Sequence, residues 1–222
     1  MFTSVKQWWY RRRLAEGAMC AYLSEPLPSP RTTVQQAEYL AVDLETTGLN
    51  PAQDHIVSIG YVPIQGRRVR VAGARHVYVH IDGSVDQSAT IHHIRDSDLD
   101  GAYTEAEALA CLLADLQGRV LIVHHAPMDL GFLNAACQRH YGVPLLARVV
   151  DTLDLARRRR TRGQNEIRDG ELRLHALRRS YGLPRYAAHD ALTDALATAE
   201  LFLAMVPRWA GNEPMPLSTL LR

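Results

Sequence analysis

The chain has 222 residues, of which 47% are hydrophobic. This length is sufficient for one substantial buried core and too short for two domains of ordinary size to be expected. Lysine and arginine together number 25 and aspartate and glutamate 24, so the formal net charge of +1 does not by itself indicate a polyanionic partner.

The cysteines and the first residues bear on the compartment. Cys20, Cys111 and Cys137 are widely spaced and lack metal-ligand spacing, which is typical of free thiols in a reducing compartment. The sequence has no run of about 18 apolar residues, so we expect no membrane span and no membrane partner. Residues 8–13 read Trp-Trp-Tyr-Arg-Arg-Arg without the apolar segment of a secretory signal. We therefore expect a cytoplasmic protein.

The basic residues are unevenly distributed. Only Lys6 is a lysine, and residues 157–185 contain ten arginines against three acids. A guanidinium group suits phosphate recognition, but such a run is equally consistent with a solvated face or with coding bias. Both interpretations stay open, with residues 157–162, Arg178 and Arg179 as candidates for a phosphate-binding track.

Three regions follow from composition. Residues 1–37 predict an extension, namely a short helix followed by a proline-rich tether, and residues 207–222 predict a tail. Between them, residues 38–206 form the predicted domain. Trp8 and Trp9 could dock on this domain, on a partner or on a membrane surface, and we favour docking on the domain itself.

The predicted elements of the domain change from strands to alternating helices and strands. Three β-rich runs suggest a meander, at residues 40–45, 56–64 and 69–81. Helical spacing follows at residues 104–117, 128–141, 153–159, 172–181 and 190–206, with short buried strands at 120–123 and 149–152. This order predicts an α/β fold with a mixed β-sheet flanked by α-helices.

Two acids end the first strand. Asp43 and Glu45 are two residues apart, so they share one face of the strand. Like charges this close repel one another unless a cation neutralises them or a proton is retained, and carboxylate oxygens suit Mg²⁺ or Mn²⁺. The alternative is a pair of surface acids with no ligand.

Further candidates follow two later elements. Asp129 is predicted in the first turn of the helix after the strand at 120–123, where an acid can also serve as a simple partner of the helix dipole. Asp194 is predicted one turn into the last helix, and His189 precedes that helix. Taken alone, a histidine is more often packed or solvated than catalytic.

Together these segments resemble the DEDDh-type 3′–5′ exonucleases, the family that includes the epsilon proofreading subunit of bacterial DNA polymerase III. Asp-Leu-Glu-Thr-Thr-Gly-Leu at 43–49 is similar to the first motif of the family, the segment ending in Asp129 to the second, and His189 with Asp194 to the third. The resemblance spans roughly residues 38–206, and the order and spacing of the motifs make coincidence improbable.

The resemblance implies a ribonuclease H-like fold and a site for two divalent metal ions, Mg²⁺ or Mn²⁺. It implies that Asp43, Glu45, Asp129 and Asp194 hold the metals and that His189 acts as the general base.

The resemblance also implies substrate contacts by Thr46, Leu49 and His92. The chain departs from the family at His93, where glycine is usual, and at His125 and Met128, where asparagine and an aromatic are common. These departures predict a nucleotide pocket that differs in shape from that of the family.

The third motif has a second register. Tyr186 and Asp190 have the Tyr-x-x-x-Asp spacing of a related class that uses tyrosine in place of histidine. The apolar face of the last helix favours His189 and Asp194, and Asp190 is then an N-cap.

We therefore expect a metal-dependent exonuclease that hydrolyses single-stranded DNA 3′ ends to nucleoside 5′-monophosphates, in proofreading or repair, with a DNA polymerase as a conceivable partner. The alternatives are an RNA exonuclease of the oligoribonuclease or tRNA-trimming type and, less favoured, a non-catalytic polymerase or nucleic-acid adaptor. The sequence does not determine the oligomeric state.

Overall fold

The computed structural model describes residues 2–81, 101–164, 166–187, 189–210 and 214–222. In this part of the chain one mixed sheet has the strand order β3-β2-β1-β5-β6, with β4 also paired to β2. The strands are β1 (Tyr39–Thr46), β2 (Ile56–Gln65), β3 (Arg68–Val69), β4 (Arg75–Tyr78), β5 (Val120–Val123) and β6 (Val149–Asp151). Strand β1 is antiparallel to β2 and parallel to β5, and β5 is parallel to β6. The predicted mixed sheet is confirmed.

Helices cover both faces of this sheet. They are α1 (Phe2–Arg11), α2 (Ala18–Ser24), α3 (Glu105–Leu116), α4 (Ala126–Tyr141), α5 (Thr152–Arg162), α6 (Leu174–Ser180) and α7 (Ala191–Ala210). Short 3₁₀ turns lie at Val71–Gly73 and Leu217–Thr219. No helix in the described ranges is both long enough and apolar enough to cross a membrane.

Strand β1 separates two hydrophobic clusters, one on each face of the sheet. Leu40 and Val42 belong to the cluster that α3 and α4 cover, whereas Tyr39 and Ala41 belong to the cluster that α7 covers. Since side chains alternate along a strand, Asp43 and Glu45 continue the row that faces α7. The alternation of β1 therefore determines which helix can reach the two acids.

The predicted strand at residues 69–81 is wrong as one continuous element. Ile64 pairs with Val69, but Tyr61 pairs with Arg75, so the three residues of a 3₁₀ turn interrupt the outer strand. Pro63 lies opposite this turn, where it has no N–H to donate and its carbonyl accepts a hydrogen bond of 2.8 Å from the Arg70 amide. The interruption divides the outer strand into β3 and β4.

The N-terminal segment packs on the sheet through α2. Met19, Tyr22 and Leu23 are buried in the α3 and α4 cluster, and the Tyr22 hydroxyl donates to the Leu146 carbonyl at 2.9 Å. The tryptophans of α1 dock only in part, because Trp8 and Trp9 remain 57% and 47% exposed. The favoured docking of these two rings on the domain itself is therefore met only in part.

The C-terminal segment also enters the core. Leu217 and Leu220 are fully buried in the cluster beneath α7, and Thr33 forms an isolated β-bridge with Pro216. The domain boundaries at residues 37 and 207 remain predictions. The segments outside both boundaries contribute side chains to the same two hydrophobic clusters as the predicted domain.

Candidate active site

Three carboxylates converge at the carboxyl end of β1. Carboxylate oxygens of Asp43, Glu45 and Asp194 all lie within 4.8 Å of one another. Asp43 and Glu45 come from the α7-facing row of β1, and Asp194 comes from the first turn of α7. Acids separated by about 150 positions in the sequence thus meet where β1 ends and α7 begins.

Gly60 allows α7 to approach this closely. Gly60 lies opposite Asp43 in the β1–β2 ladder. A Cβ atom on Gly60 would lie 2.0 Å from the backbone carbonyl carbon of Ala191 and 2.2 Å from the Leu192 nitrogen. Because no real Cβ contact is so short, only glycine lets the first turn of α7 rest on β2 beside Asp43. No local pattern in the sequence marks this position.

Asp129 approaches Asp43 from the other layer, but it is not among the three carboxylates that lie within 4.8 Å of one another. It is 5% exposed in the first turn of α4, as the sequence predicts for its position in the helix. Among the charged neighbours of Asp43, Asp129 contributes most to raising the pKa of that carboxyl group. The negative charge of Asp129, the third acid of the motif in chain order, thus disfavours ionisation of Asp43.

Asp151, which is not among the predicted site residues, holds the start of α4. Its buried carboxylate accepts from the amides of His125 and Ala126 at 3.1 and 2.9 Å, and from Leu153 and Asp154 at 3.0 and 3.3 Å. It thereby caps both α4 and α5. The position of Asp151 directly before the helical residues 152–162 is a signal that could have identified it as a cap.

The backbone at the start of α4 shows why asparagine is common in the family at the position of His125. His125 has a left-handed φ of 81°. Asparagine adopts this conformation more readily than most residues, which accounts for asparagine being common there.

The neighbouring His124 has a structural role. Its Nδ1 contacts the Thr152 hydroxyl at 2.8 Å and its Nε2 contacts the Leu172 carbonyl at 3.0 Å. Burial lowers the pKa of His124 to about 4, so its ring is neutral at physiological pH.

The electrostatics of the acidic cluster favour cation binding. Burial, and next the negative charges of Asp129, Asp194 and Glu45, raise the pKa of Asp43 well above its usual value. Burial also raises the pKa of Asp129 and, against the opposing hydrogen bond from His189, that of Asp194. Each carboxylate is thus held where its ionised form is unfavourable. Hard oxygen donors this close together fit a divalent cation, which would offset the repulsion.

His189 lies beside Asp194 on the segment that enters α7. It is exposed, has a left-handed φ of 69°, and its backbone N–H donates to Asp194 Oδ2 at 3.0 Å. This contact orients the carboxylate of Asp194 and ties the histidine backbone to the acidic cluster.

The alternative tyrosine register has no support in the geometry. The Tyr186 hydroxyl donates to Glu200 Oε1 at 2.9 Å. Asp190 Oδ1 accepts from the Thr193 amide at 2.8 Å, which confirms the predicted cap at the start of α7.

Arg178 connects α6 to the segment before His189. It is 3% exposed and donates to the carbonyls of Ala197 and Pro184 at 2.7 and 2.9 Å and to Glu200 at 2.8 Å. Its guanidinium also lies 4.4 Å from the centre of the Tyr186 ring. The interpretation of Arg178 as part of a phosphate-binding track is therefore wrong, since its donors are engaged inside the protein.

The other arginines of residues 157–185 differ in whether their side chains are engaged within the protein. Arg158 donates to the carbonyls of Thr219 and Leu220, and Arg160 pairs with Glu171 at 2.9 Å. Arg179 is exposed on α6. The arginine-rich segment is thus partly structural and partly available to a ligand.

Two of the predicted substrate-contact residues lie where β1 ends: Thr46 is the last residue of the strand, and Leu49 lies on the loop that follows. The Thr46 hydroxyl donates to the Gly48 carbonyl at 2.7 Å, and Asp54 Oδ2 accepts from the Asn50 amide at 2.8 Å. On this tied loop the Leu49 side chain is 83% exposed. His92, with its neighbour at 93, lies outside the described residues.

The chain belongs to the exonuclease family described as RNase_T, whose family model matches residues 40–202. It is therefore a nuclease of the DEDDh 3′–5′ exonuclease type, as the motif resemblance implies. Its mixed sheet is the ribonuclease H-like sheet that this type predicts.

Two of its curated relatives are DNA polymerase III proteins. The chain is 30% identical over 181 residues to the DNA polymerase III subunit epsilon of Treponema pallidum, covering 79% of this chain and 80% of that protein. It is 28% identical over 179 residues to the PolC-type DNA polymerase III of Thermotoga maritima. That alignment covers 80% of this chain but only 12% of the much longer polymerase.

Solved structures share the fold at low identity. The nuclease domain of 3′hExo, a DEDDh family member bound to rAMP, has a TM-score of 0.65 at 16% identity, covering 83% of this chain and all of that one. Cell-death related nuclease 4 has a TM-score of 0.66 at 15% identity, covering 78% of this chain and 65% of that one. Exonuclease I of E. coli in complex with single-stranded DNA has a TM-score of 0.63 at 20% identity, covering 78% and 41%.

Proposed function

We propose that this chain is a metal-dependent 3′–5′ exonuclease that hydrolyses single-stranded DNA ends to nucleoside 5′-monophosphates, in proofreading or repair. The observation that supports it most directly is the meeting of Asp43, Glu45 and Asp194 within 4.8 Å, with Asp129 acting on Asp43 from the opposite layer. A cluster of partly buried acids is unfavourable without a cation, and the family to which the chain belongs is a nuclease family.

Asp43, Glu45, Asp129 and Asp194 would hold two divalent cations, Mg²⁺ or Mn²⁺. When bound, these cations would supply Lewis acidity at the attacking water and positive charge at the phosphodiester. The protein's own contribution is to hold the four acids in place. Asp151 holds the first turn of α4, and the His189 amide holds Asp194.

His189 would accept the proton of the attacking water. The water oxygen forms the new bond to phosphorus, the bond between phosphorus and the 3′ oxygen breaks, and the departing 3′ oxygen takes up a proton. Imidazole suits this role because it changes charge near neutral pH. The exposed position of His189 beside Asp194 supports the assignment.

The loop after β1 would hold the terminal nucleotide. Leu49 offers an exposed apolar side chain to a base on a loop tied by Asp54, while Thr46 stands next to the acidic cluster. His92 is proposed as a third contact from the family resemblance alone.

Digestion of a 5′-labelled single strand tests this function. With Mg²⁺ or Mn²⁺ we expect a ladder of shortened strands and release of nucleoside 5′-monophosphates, and with excess chelator we expect neither. Changing His189→Ala should lower kcat about 10²- to 10⁴-fold with a smaller effect on KM. His140→Ala, in which the lost ring pairs with Glu105 on the surface, is the matched control. Equal digestion with and without chelator would contradict the proposal.

RNA is the second candidate substrate. The 3′hExo structure, which shares the fold, contains rAMP. Matched DNA and RNA strands of the same sequence should be digested in parallel, because only a contact to the 2′-hydroxyl distinguishes them at a given site.

A DNA polymerase is the proposed protein partner, on the strength of the relative from Treponema pallidum that is a polymerase subunit. Co-elution of the chain with a replicative polymerase on size exclusion would support the partnership.

A reducing cytoplasm is the proposed compartment, because the thiols of Cys20, Cys111 and Cys137 are free.

A further inference from the structure

Helix α1 carries an apolar surface that the rest of the protein leaves largely uncovered. Seven large hydrophobic side chains are exposed in the described part of the chain, and three of them, Val5, Trp8 and Trp9, lie on α1. Their spacing of three and four residues places them on one side of the helix. Exposed apolar side chains grouped in this way are typical of an interaction surface.

The same surface is strongly basic. Lys6 and the three arginines at residues 11–13 are exposed, and residues 2–13 contain no acid. Among the residues that the structure describes, none of these basic side chains forms an ion pair, whereas Arg139 and Arg160 do. Positive charge without a counter-charge favours a polyanionic ligand.

The tryptophans and arginines of this surface are combined. The guanidinium group of Arg12 lies 4.9 Å from the centre of the Trp8 ring, and that of Arg13 lies 4.2 Å from the centre of the Trp9 ring. A lipid chain or the apolar groove of another protein would have to displace these cations from the rings. A nucleic-acid strand uses both groups, because its bases stack on aromatic rings and its phosphates pair with guanidinium groups.

A cavity of about 240 Å³ adjoins Trp8. Trp8 and Arg11 line it from α1, Leu23 and Leu27 line it from the segment at the end of α2, and Arg148 lines it from the residue before β6. A recess with apolar walls and two arginines has the chemistry to take a base together with its phosphate.

Helix α1 lies at the other end of the sheet from the acidic cluster. Arg148, which shares the cavity with Trp8, directly precedes β6, and Gln117, which donates to the Ala21 carbonyl at 3.0 Å, precedes β5. Both residues mark the amino ends of strands parallel to β1, whose acids lie at its carboxyl end. A strand of eight residues such as β1 spans about 25 Å. A ligand on α1 therefore leaves the proposed catalytic residues open.

We propose that α1 and residues 11–13 form a second binding surface for single-stranded nucleic acid, opposite the acidic cluster. Bases would stack on Trp8 and Trp9, and the arginines would contact the phosphates. That the same strand also reaches the acidic cluster rests on the proposed function. A strand long enough to reach both surfaces binds more tightly than a short one, since the second contact is then intramolecular.

Binding measured in chelator tests this surface without hydrolysis. The probes are labelled single strands of DNA and of RNA about 30 nucleotides long, which exceeds the length that one such surface covers. Fluorescence anisotropy follows their binding. One test variant is Trp8→Ala with Trp9→Ala, and the other is Arg12→Gln with Arg13→Gln.

The control variant is Arg68→Gln with Arg70→Gln. It removes two exposed charges at β3, which is the outer strand on the far side of the sheet from β6. The control should bind the strands as the wild-type protein does. All replaced side chains are exposed and alanine and glutamine favour helix, so circular dichroism should show that α1 is retained.

Both test variants should bind the strands more weakly than the wild-type protein. Loss of the two indoles should lower the affinity about tenfold or more, because stacking of each base contributes to binding. Loss of the two arginines should also reduce the slope of log affinity against log salt concentration by about 0.7 for each phosphate that is no longer neutralised. Weakening with only one of the two probes identifies the strand that the surface prefers.

Wild-type affinity for both strands in either test variant, or equally weakened binding in the control, would overturn the proposal. Flotation with vesicles containing phosphatidylglycerol tests the alternative occupant. If the wild-type protein floats, the Trp8 and Trp9 variant does not, and strand binding is unchanged, then α1 binds a lipid surface instead.

These outcomes are separate from those of the digestion assay. An enzyme that digests strands while both test variants bind them normally retains the proposed function and loses the second surface. A protein that digests nothing, but whose strand binding still depends on Trp8 and Trp9, does the reverse.

Discussion

At the scale of single residues, Asp43 illustrates a conflict between stability and the proposed activity. Its carboxyl group lies among Glu45, Asp129 and Asp194, and burial together with their charges raises its pKa well above the usual value. A raised pKa in the folded state means that the ionised form destabilises the fold. The cluster therefore lowers the stability of the metal-free protein at neutral pH.

Replacing Asp43→Asn should make the metal-free protein more stable and inactive. We expect a gain of about 1 to 2 kcal/mol in the free energy of unfolding at pH 7, or roughly 2–8 °C in melting temperature. The sign follows from the raised pKa. Stability due to the protonated Asp43 is present below the unfolded pKa near 3.9 and is lost as the pH rises through the higher folded value. The gain should therefore shrink as the pH is lowered.

Thermal melts in chelator across a pH series measure this effect, and melts with added Mn²⁺ measure the loss of cation binding. Wild-type protein should gain stability from Mn²⁺, because a ligand that binds only the folded state stabilises it. A variant that is less stable than the wild-type protein in chelator at pH 7 would show that repulsion does not dominate at this site.

At the scale of elements, the placement of α7 depends on a strand that does not contribute any acid. At Gly60 of β2, the backbone of Ala191 and Leu192 occupies the space that a Cβ atom would need. On the opposite layer, Asp151 of β6 determines the first turn of α4 through two backbone amides. Backbone contacts between elements thus determine how close the carboxylates come.

Replacing Gly60→Ala should displace the first turn of α7 and with it Asp194. We expect a loss of about 1 to 3 kcal/mol in stability, because the new methyl group meets backbone that cannot move aside freely. The melting-temperature gain caused by Mn²⁺ should also fall, together with kcat. Gly73→Ala is the matched control, since its Cβ meets only the Pro63 side chain, at 3.0 Å. Full cation binding in the Gly60 variant would contradict the positioning role.

At the scale of the whole molecule, segments from both ends of the sequence complete the two clusters. Tyr22 of α2 packs on the side of α3 and α4, and Leu217 and Leu220 pack beneath α7. Arg158 of α5 holds the last turn through the carbonyls of Thr219 and Leu220. The final residues therefore stabilise the layer that carries Asp194.

Replacing Leu220→Ala should lower the free energy of unfolding by about 2 to 5 kcal/mol through the cavity that it leaves. Digestion rates at a temperature well below the melting transition should stay the same, because Leu220 lies in the core rather than at the acidic cluster. Leu221→Ala, at a partly buried neighbour, should cost clearly less. Urea denaturation of the two variants measures the difference, and equal destabilisation would argue against burial of Leu220.

Local patterns were sufficient for much of this molecule. Strand alternation placed Asp43 and Glu45 on one face, and the helix-start pattern placed Asp129 and Asp194 in first turns. Helical spacing also located α3 and α7. These features depend on residues close together in the chain, so the sequence by itself determined them.

The tertiary structure alone decided how these elements meet. Gly60 matters because α7 lies on it, and Asp151 because two helices begin beside it. Arg178 matters because it is buried against Pro184 and Glu200, whereas Arg179 is exposed. A glycine, an aspartate or an arginine carries no local signal of such partners. Their roles arise from contacts between residues distant in sequence, which only the packed fold creates.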